Sequence, residues 1–173
     1  MIYIGSFSKT ILPTIRLGFL IAPPSVHGAL LRAKQVTDWH SALPLQAALA
    51  EFIEIGAYSR HIRKMREIYR ARREMIVDIL TRDFSEELRI VPSIAGIHIT
   101  ALARTASAEE ISAVVRRASE AGVEIQELSA LTTVQRGPAG IMFGYGAIST
   151  THIPEGLRRL RTSFAQSGSI SAA

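Results

Sequence analysis

From Tyr58 to Leu80 the chain reads YSRHIRKMREIYRARREMIVDIL. Ile62, Met65, Tyr69, Ile76 and Leu80 recur near helical spacing, while Arg60, Arg63, Arg66, Arg70 and Arg73 fill other faces. One long amphipathic helix with a basic back meets that pattern, and it reaches about Asp83. A helix of that length joins two differently built regions. The expected organisation is a first region over residues 1–65, a second over 66–165 and a disordered tail over 166–173, where QSGSISAA is small, polar and without apolar spacing.

The same helix accounts for the charge. Residues 58–73 hold seven Lys/Arg and one Glu, so a net charge of +5 for the chain is +6 here and −1 elsewhere. No aromatic platform or reader motif accompanies these cations, so a solvated helix face is favoured over a nucleic-acid groove. With 173 residues, 47% apolar and 20% charged, the chain can bury a core. The absence of cysteine excludes disulfides and thiolate metal sites, and is compatible with a cytoplasmic protein. Apolar runs such as LGFLIAPP are too short to span a bilayer, so no membrane association is expected. His27, His40, His61, His98 and His152 never share a helical turn, so no metal site is expected. His98, inside an apolar strand, is expected to be a hydrogen-bonded core histidine, and Trp39 and Tyr58 to be packing residues.

Before the long helix, MIYIGS and RLGFLIAP read as strands; helices follow from about Ser25 and in LPLQAALAEFIEIG, which Gly56 stops. After it, LRIVPS and GIHITALA read as strands, and Ser107 with Glu110 opens a helix through a capping box that Gly122 closes. VEIQEL and GIMFGYGAI are further strands, and Ile153 to Phe164 a last helix. Strand, strand, helix, strand, strand, helix suits a small α+β sandwich.

Between the first two strands lies GSFSKTILPTIR, with one of only three lysines against seventeen arginines. Lys9 therefore looks selected as an amine. In a partly apolar pocket an amine loses proton affinity and condenses with a carbonyl, which a guanidinium cannot do. Arg16 offers a planar fork suited to phosphate, and Ser6, Ser8 and Thr10 add hydroxyl donors. On these residues alone, a solvated loop for Lys9 and a strand-edge charge for Arg16 are the favoured reading.

GSFSKT followed by LPTIRLGFLIAP resembles the cofactor-lysine segment of the fold-type I, pyridoxal-phosphate-dependent aminotransferases (class I/II), most closely the aminotransferase-like domain of MocR-type regulators of the GntR superfamily. LPLQAALAEFIEIGAYSRHIRKMREIYRARRE is similar to the stretch that follows, and GIHI, AGVEI and IMFGYGAISTTHIPEGLRRL to the small domain. The resemblance implies an α/β fold: the C-terminal part of a pyridoxal-phosphate transferase-like large domain, then a small α+β domain. It implies that Lys9 holds pyridoxal 5'-phosphate covalently while Ser6 and Arg16, with Ser8 in support, bind the phosphate. A small amine or amino acid is the implied ligand. In turnover, the freed Lys9 amine would move the substrate's α-proton.

Two departures qualify that role. Many family enzymes grip the substrate carboxylate with an arginine in an R-x-S-F-like strand, and MFGY carries Met142 at that place; Arg136 is a substitute to weigh against an exposed loop arginine. Family members also carry a long region before the lysine, and the regulators a winged-helix domain for DNA. The chain is thus expected to be a shortened portion, inactive by itself, touching DNA only through a domain it lacks. Its first two strands would expose apolar edges, so a homodimer or swapped oligomer is expected. The leading reading is an effector-sensing regulator domain; the alternatives are a portion of a true amino-acid aminotransferase and a cofactor-free fragment.

Overall fold

The computed structural model describes residues 1–94, 96–132 and 137–168, and divides into two compact units, Met1–Met65 and Arg66–Ala173. Arg136 and residues 169–173 therefore lie outside the described residues.

The first unit opens with an antiparallel hairpin of β1 (Tyr3–Ser6) and β2 (Gly18–Ile21), in the register Tyr3 to Ile21 through Ser6 to Gly18. Its connection contains a 3-10 turn, Pro13–Ile15. Helices α1 (Pro24–Thr37) and α2 (Leu43–Glu54) follow, each with proline in its first turn, where a missing N–H costs nothing and the fixed φ is already helical. The first turns of α3 (Ala57–Asp83) complete the unit. Leu17 and Ala22 are its buried residues; large apolar side chains on β1, β2, α1 and α2 are exposed. Trp39, expected to pack, is 74% exposed, because the helix ends at Thr37 and the chain turns through a left-handed residue there.

The second unit has the core. Strands β3 (Leu88–Ile90), β4 (His98–Ala103), β5 (Gln126–Glu127) and β6 (Gly140–Gly144) form an antiparallel sheet in the order β3-β4-β6-β5. α4 (Ala108–Glu120) and α5 (Ile153–Gly168) pack with it. Ile99 and Ala101 of β4 and Ile141 and Phe143 of β6 point to the core, meeting Ile111 and Val114 of α4, Leu157 and Leu160 of α5 and the last turns of α3 through Ile76 and Leu80. His98 lies on the alternate positions of β4 and is exposed, which corrects the core-histidine expectation: pleat alternation outweighs an apolar neighbourhood in sequence.

α4 begins as expected. Glu110 N donates to Ser107 Oγ at 3.2 Å and Ser107 N to Glu110 Oε2 at 2.7 Å. It ends where Gly122 takes φ 78°: Val123 N bonds Ala118 O and Gly122 N bonds Ser119 O, the paired bonds of a Schellman turn. α5 continues past Phe164, the last residue of its packed face, because a formed helix propagates through its backbone ladder.

The basic back of α3 is only partly a solvated face. Arg72 Nη1 donates to the carbonyls of Tyr145 (3.0 Å) and Gly146 (2.8 Å), and Arg73 Nη2 to that of Ser93 (2.6 Å). These two cations cap loop carbonyls at the ends of the sheet. Burial raises the Tyr145 phenol above its ordinary range, and its hydroxyl donates to Gly96 O at 2.7 Å.

Candidate functional site

The β1–β2 connection is a closed loop. Phe7 N donates to Leu17 O at 3.0 Å across its neck, so residues 8–16 are gathered beyond one end of the hairpin. Thr10 N and Ile11 N both donate to Phe7 O, at 3.1 and 2.9 Å, curling the segment that carries Lys9. Ser8 N donates to Ser6 Oγ at 3.2 Å, which occupies a lone pair on that hydroxyl and leaves its proton free to donate elsewhere. On the returning arm Ile15 N bonds Leu12 O, and Arg16 then adopts φ 47°, ψ 30°. A left-handed non-glycine residue is strained, and such strain gathers at functional sites.

Beneath the loop runs a chain of rings. Phe7 lies 5.4 Å from Phe19 of β2 and meets Tyr58 of α3 edge-on at 5.9 Å; Tyr58 meets Phe52 of α2 edge-on at 6.5 Å; Phe52 is 6.5 Å from His61. Edge-to-face pairs fix relative ring orientation as well as burying area. His61 Nε2 donates to Thr10 O at 3.0 Å.

All four residues singled out in the sequence thus sit on this one loop: Ser6 ends β1, Ser8 and Lys9 occupy the outgoing arm, and Arg16 stands two positions before β2. Ser8 is half-buried; Ser6, Lys9 and Arg16 are exposed. The partly apolar pocket expected around Lys9 is therefore not formed by residues 1–65 themselves. Loop burial needs facing surface, and this unit has almost none of its own. The arrangement still has a definite chemistry. The first acidic residue in the chain is Asp38, and no ion pair ties Lys9 or Arg16 among the described residues. Two uncompensated cations with two serine hydroxyls make a donor set suited to a phosphate dianion beside a primary amine. The residues fit pyridoxal phosphate on that ground.

Sequence reasoning missed His61, Phe52 and the strained backbone at Arg16. A contact between positions 10 and 61 leaves no periodic trace, and His61 reads locally as one more basic residue of a basic helix face. Met142, in β6, is half-buried and lies between Thr100 of β4 and Gln126 of β5.

Residues 1–164 match the family of aminotransferase class I and II. The chain belongs to that family. Among relatives of this aminotransferase family member, the probable rhizopine catabolism regulatory protein MocR of Rhizobium meliloti is 34% identical over 164 residues, which is 95% of this chain and 33% of that protein. The uncharacterized HTH-type transcriptional regulator YhdI of Bacillus subtilis is 32% identical over 169 residues, 95% of this chain and 35% of that one. The chain spans about a third of the length of these curated relatives. Among solved structures, LysN, an alpha-aminoadipate aminotransferase of Thermus thermophilus complexed with N-(5'-phosphopyridoxyl)-L-leucine, superposes with a TM-score of 0.83 at 27% identity, over 98% of this chain and 43% of that one. The expected α/β class and the resemblance to MocR-type and aminotransferase sequences are both borne out.

Proposed function

We propose that this chain is part of the pyridoxal-phosphate-binding, effector-sensing portion of a MocR/GntR-type transcriptional regulator. The observation that carries the cofactor assignment is the single loop on which Ser6, Ser8, Lys9 and Arg16 gather with no acidic residue to neutralise them. Lys9 is the residue that bonds the cofactor's carbonyl carbon. Arg16 and Ser6 hold the phosphate, with Ser8 half-buried beside them. Bound there, pyridoxal phosphate supplies an electron sink for the α-carbon of an amine ligand. In turnover, with the ligand's amine displacing Lys9 from the carbonyl carbon, the freed Lys9 amine would take and return the α-proton, and the Arg16 guanidinium would keep the phosphate from drifting.

The regulatory half of the reading is supported by the MocR and YhdI relatives and by Met142, which stands where the resemblance puts a carboxylate-gripping arginine. A thioether offers a carboxylate nothing. A small amine or amino acid is the proposed ligand, sensed in the cytoplasm by a dimeric protein, with DNA contact supplied by residues outside 1–173. The second reading, a portion of an amino-acid aminotransferase, is favoured by the likeness to LysN.

The test is an absorbance titration of the chain with pyridoxal phosphate. A visible band that Lys9→Ala removes and that Lys34→Ala and Lys64→Ala keep supports the site. No lysine-dependent band leaves the cofactor-free alternative standing. A full turnover of an amino acid to its keto acid by the longer protein would favour the enzyme over the sensor.

A further inference from the structure

The lysine loop is fastened to α3 by a bond that the cofactor reading does not use. His61, in the second turn of that helix, places Nε2 3.0 Å from the carbonyl oxygen of Thr10, 51 positions away in sequence. A carbonyl only accepts, so Nε2 carries the proton and donates. The imidazole is half-buried, with the Phe52 ring 6.5 Å away at 58°. Thr10 directly follows Lys9. The other hydrogen bonds of this turn, from Thr10 N, Thr10 Oγ1 and Ile11 N to Phe7 O and from Ser8 N to Ser6 Oγ, stay inside the loop. Phe7 against Tyr58 adds area and a ring angle, but a ring pair tolerates sliding that a directed hydrogen bond does not.

We infer that His61 is a positioning residue for Lys9: its Nε2–H holds the Thr10 carbonyl, and so fixes where the peptide carrying the lysine stands relative to Ser6 and Arg16. The inference rests on the cofactor reading for its purpose, though not for its geometry. A covalent lysine must meet the carbonyl carbon while the phosphate is held several bonds away, so both ends of the loop need a fixed spacing. The hairpin ladder fixes Ser6 and the arm leading to Arg16. Residues 8–10, of which Lys9 is exposed, are curled by their own bonds to Ser6 and Phe7 and take their anchor on α3 from His61.

The experiment compares His61→Leu, His61→Asn and His61→Gln in the same chain. Gln carries an N–H at the reach of Nε2; the Asn amide is one bond too short for Thr10. Amide hydrogen exchange is followed by peptide across the chain, together with the pyridoxal phosphate concentration that half-saturates the Lys9-dependent band. The expected result is exchange over residues 7–17 faster by about five-fold or more in the Leu and Asn variants, with α4 and α5 unchanged, as loss of one net hydrogen bond implies. Half-saturation rises about five- to ten-fold in both, and Gln restores both readouts. Unchanged loop exchange in both the Leu and Asn variants overturns the inference, as does a rise spread evenly over the whole chain that Gln fails to reverse. If the wild-type chain forms no Lys9-dependent band, the cofactor reading fails, and the exchange pattern alone still decides whether His61 holds the loop.

Discussion

Ser6 and Gly18 face each other on the last rung of the β1–β2 ladder, immediately before the chain opens into the lysine loop. The pair is possible because Gly18 lacks a side chain. A Cβ there would stand 2.8 Å from the Gly5 carbonyl oxygen, a backbone atom that cannot yield without opening the ladder. Gly18→Ala should therefore destabilise the first unit by about 1–3 kcal/mol, the usual cost of overpacking, and weaken pyridoxal phosphate binding with it. Gly28→Ala is the opposite case. Gly28 is inside α1, where an added methyl meets only the flexible end of Arg32 at 3.5 Å, so the change should stabilise by about 0.5–1 kcal/mol. Denaturant unfolding of both variants checks the signs.

Arg16 combines a strained backbone with a functional side chain, and the two can be separated. Replacing it by glycine relieves the left-handed φ of 47° and removes the guanidinium together. The stability of Arg16→Gly should equal or exceed the wild type, by about 1 kcal/mol at most, while half-saturation by pyridoxal phosphate rises about ten-fold or more. Titration with pyridoxal, which has the same carbonyl and no phosphate, should not distinguish the two proteins. Equal losses with both compounds would mean that Arg16 shapes the loop and does not grip an anion.

What the sequence disclosed and what it withheld divide along range. The Ser107–Glu110 box and the Gly122 stop were legible because each is complete within four or five residues, and α3 because its apolar period runs over many turns. Lys9, Arg16 and Ser6 were singled out through the resemblance, and they lie at the end of β1 or on the one connection to β2 that the strand pattern had indicated. His98 was misread although the signal was present: Ile99 and Ala101 alternate inward, which puts residue 98 outward, and the apolar run obscured the period. His61 was not legible at all, since its partner is a backbone carbonyl whose position depends on how α2, α3 and the hairpin pack. Nor was the exposure of Lys9, which follows from how little the first unit buries.

Glu155, in the first turn of α5, provides a pH-dependent test away from the site. Arg158 donates to it twice, at 2.7 and 2.8 Å, and Arg159 once at 2.8 Å; these bonds, Arg158 first, bring its carboxyl down from the ordinary 4.5 to about 2. A lowered pKa in the folded state means the contribution is complete above the unfolded value and disappears as pH falls through about 2. Carboxyl chemical shifts should show Glu155 titrating near 2, with Arg158→Ala moving the midpoint upward more than Arg159→Ala. A wild-type midpoint in the ordinary carboxylate range would show that the fork does not persist in solution.

The first unit exposes apolar side chains on every element that precedes α3. Ile4 of β1 is 77% exposed, Ile21 of β2 63%, Val36 of α1 84% and Leu43 of α2 63%, against a buried set of Leu17 and Ala22. Apolar area in water costs about 25 cal/mol per Å², and hairpin edges left open add unpaired backbone donors and acceptors. Such a surface is stable only when covered, so in isolation the 173-residue chain should self-associate. Light scattering at micromolar concentration should report a dimer or larger species. Ile4→Lys with Ile21→Lys, two residues whose register partners are Leu20 and Tyr3 and which lie on opposite faces of the hairpin, should shift it toward monomer while leaving α4 and α5 folded. A monomer in the unmodified chain, with no binding of an apolar dye, would show instead that these side chains find cover within the chain itself.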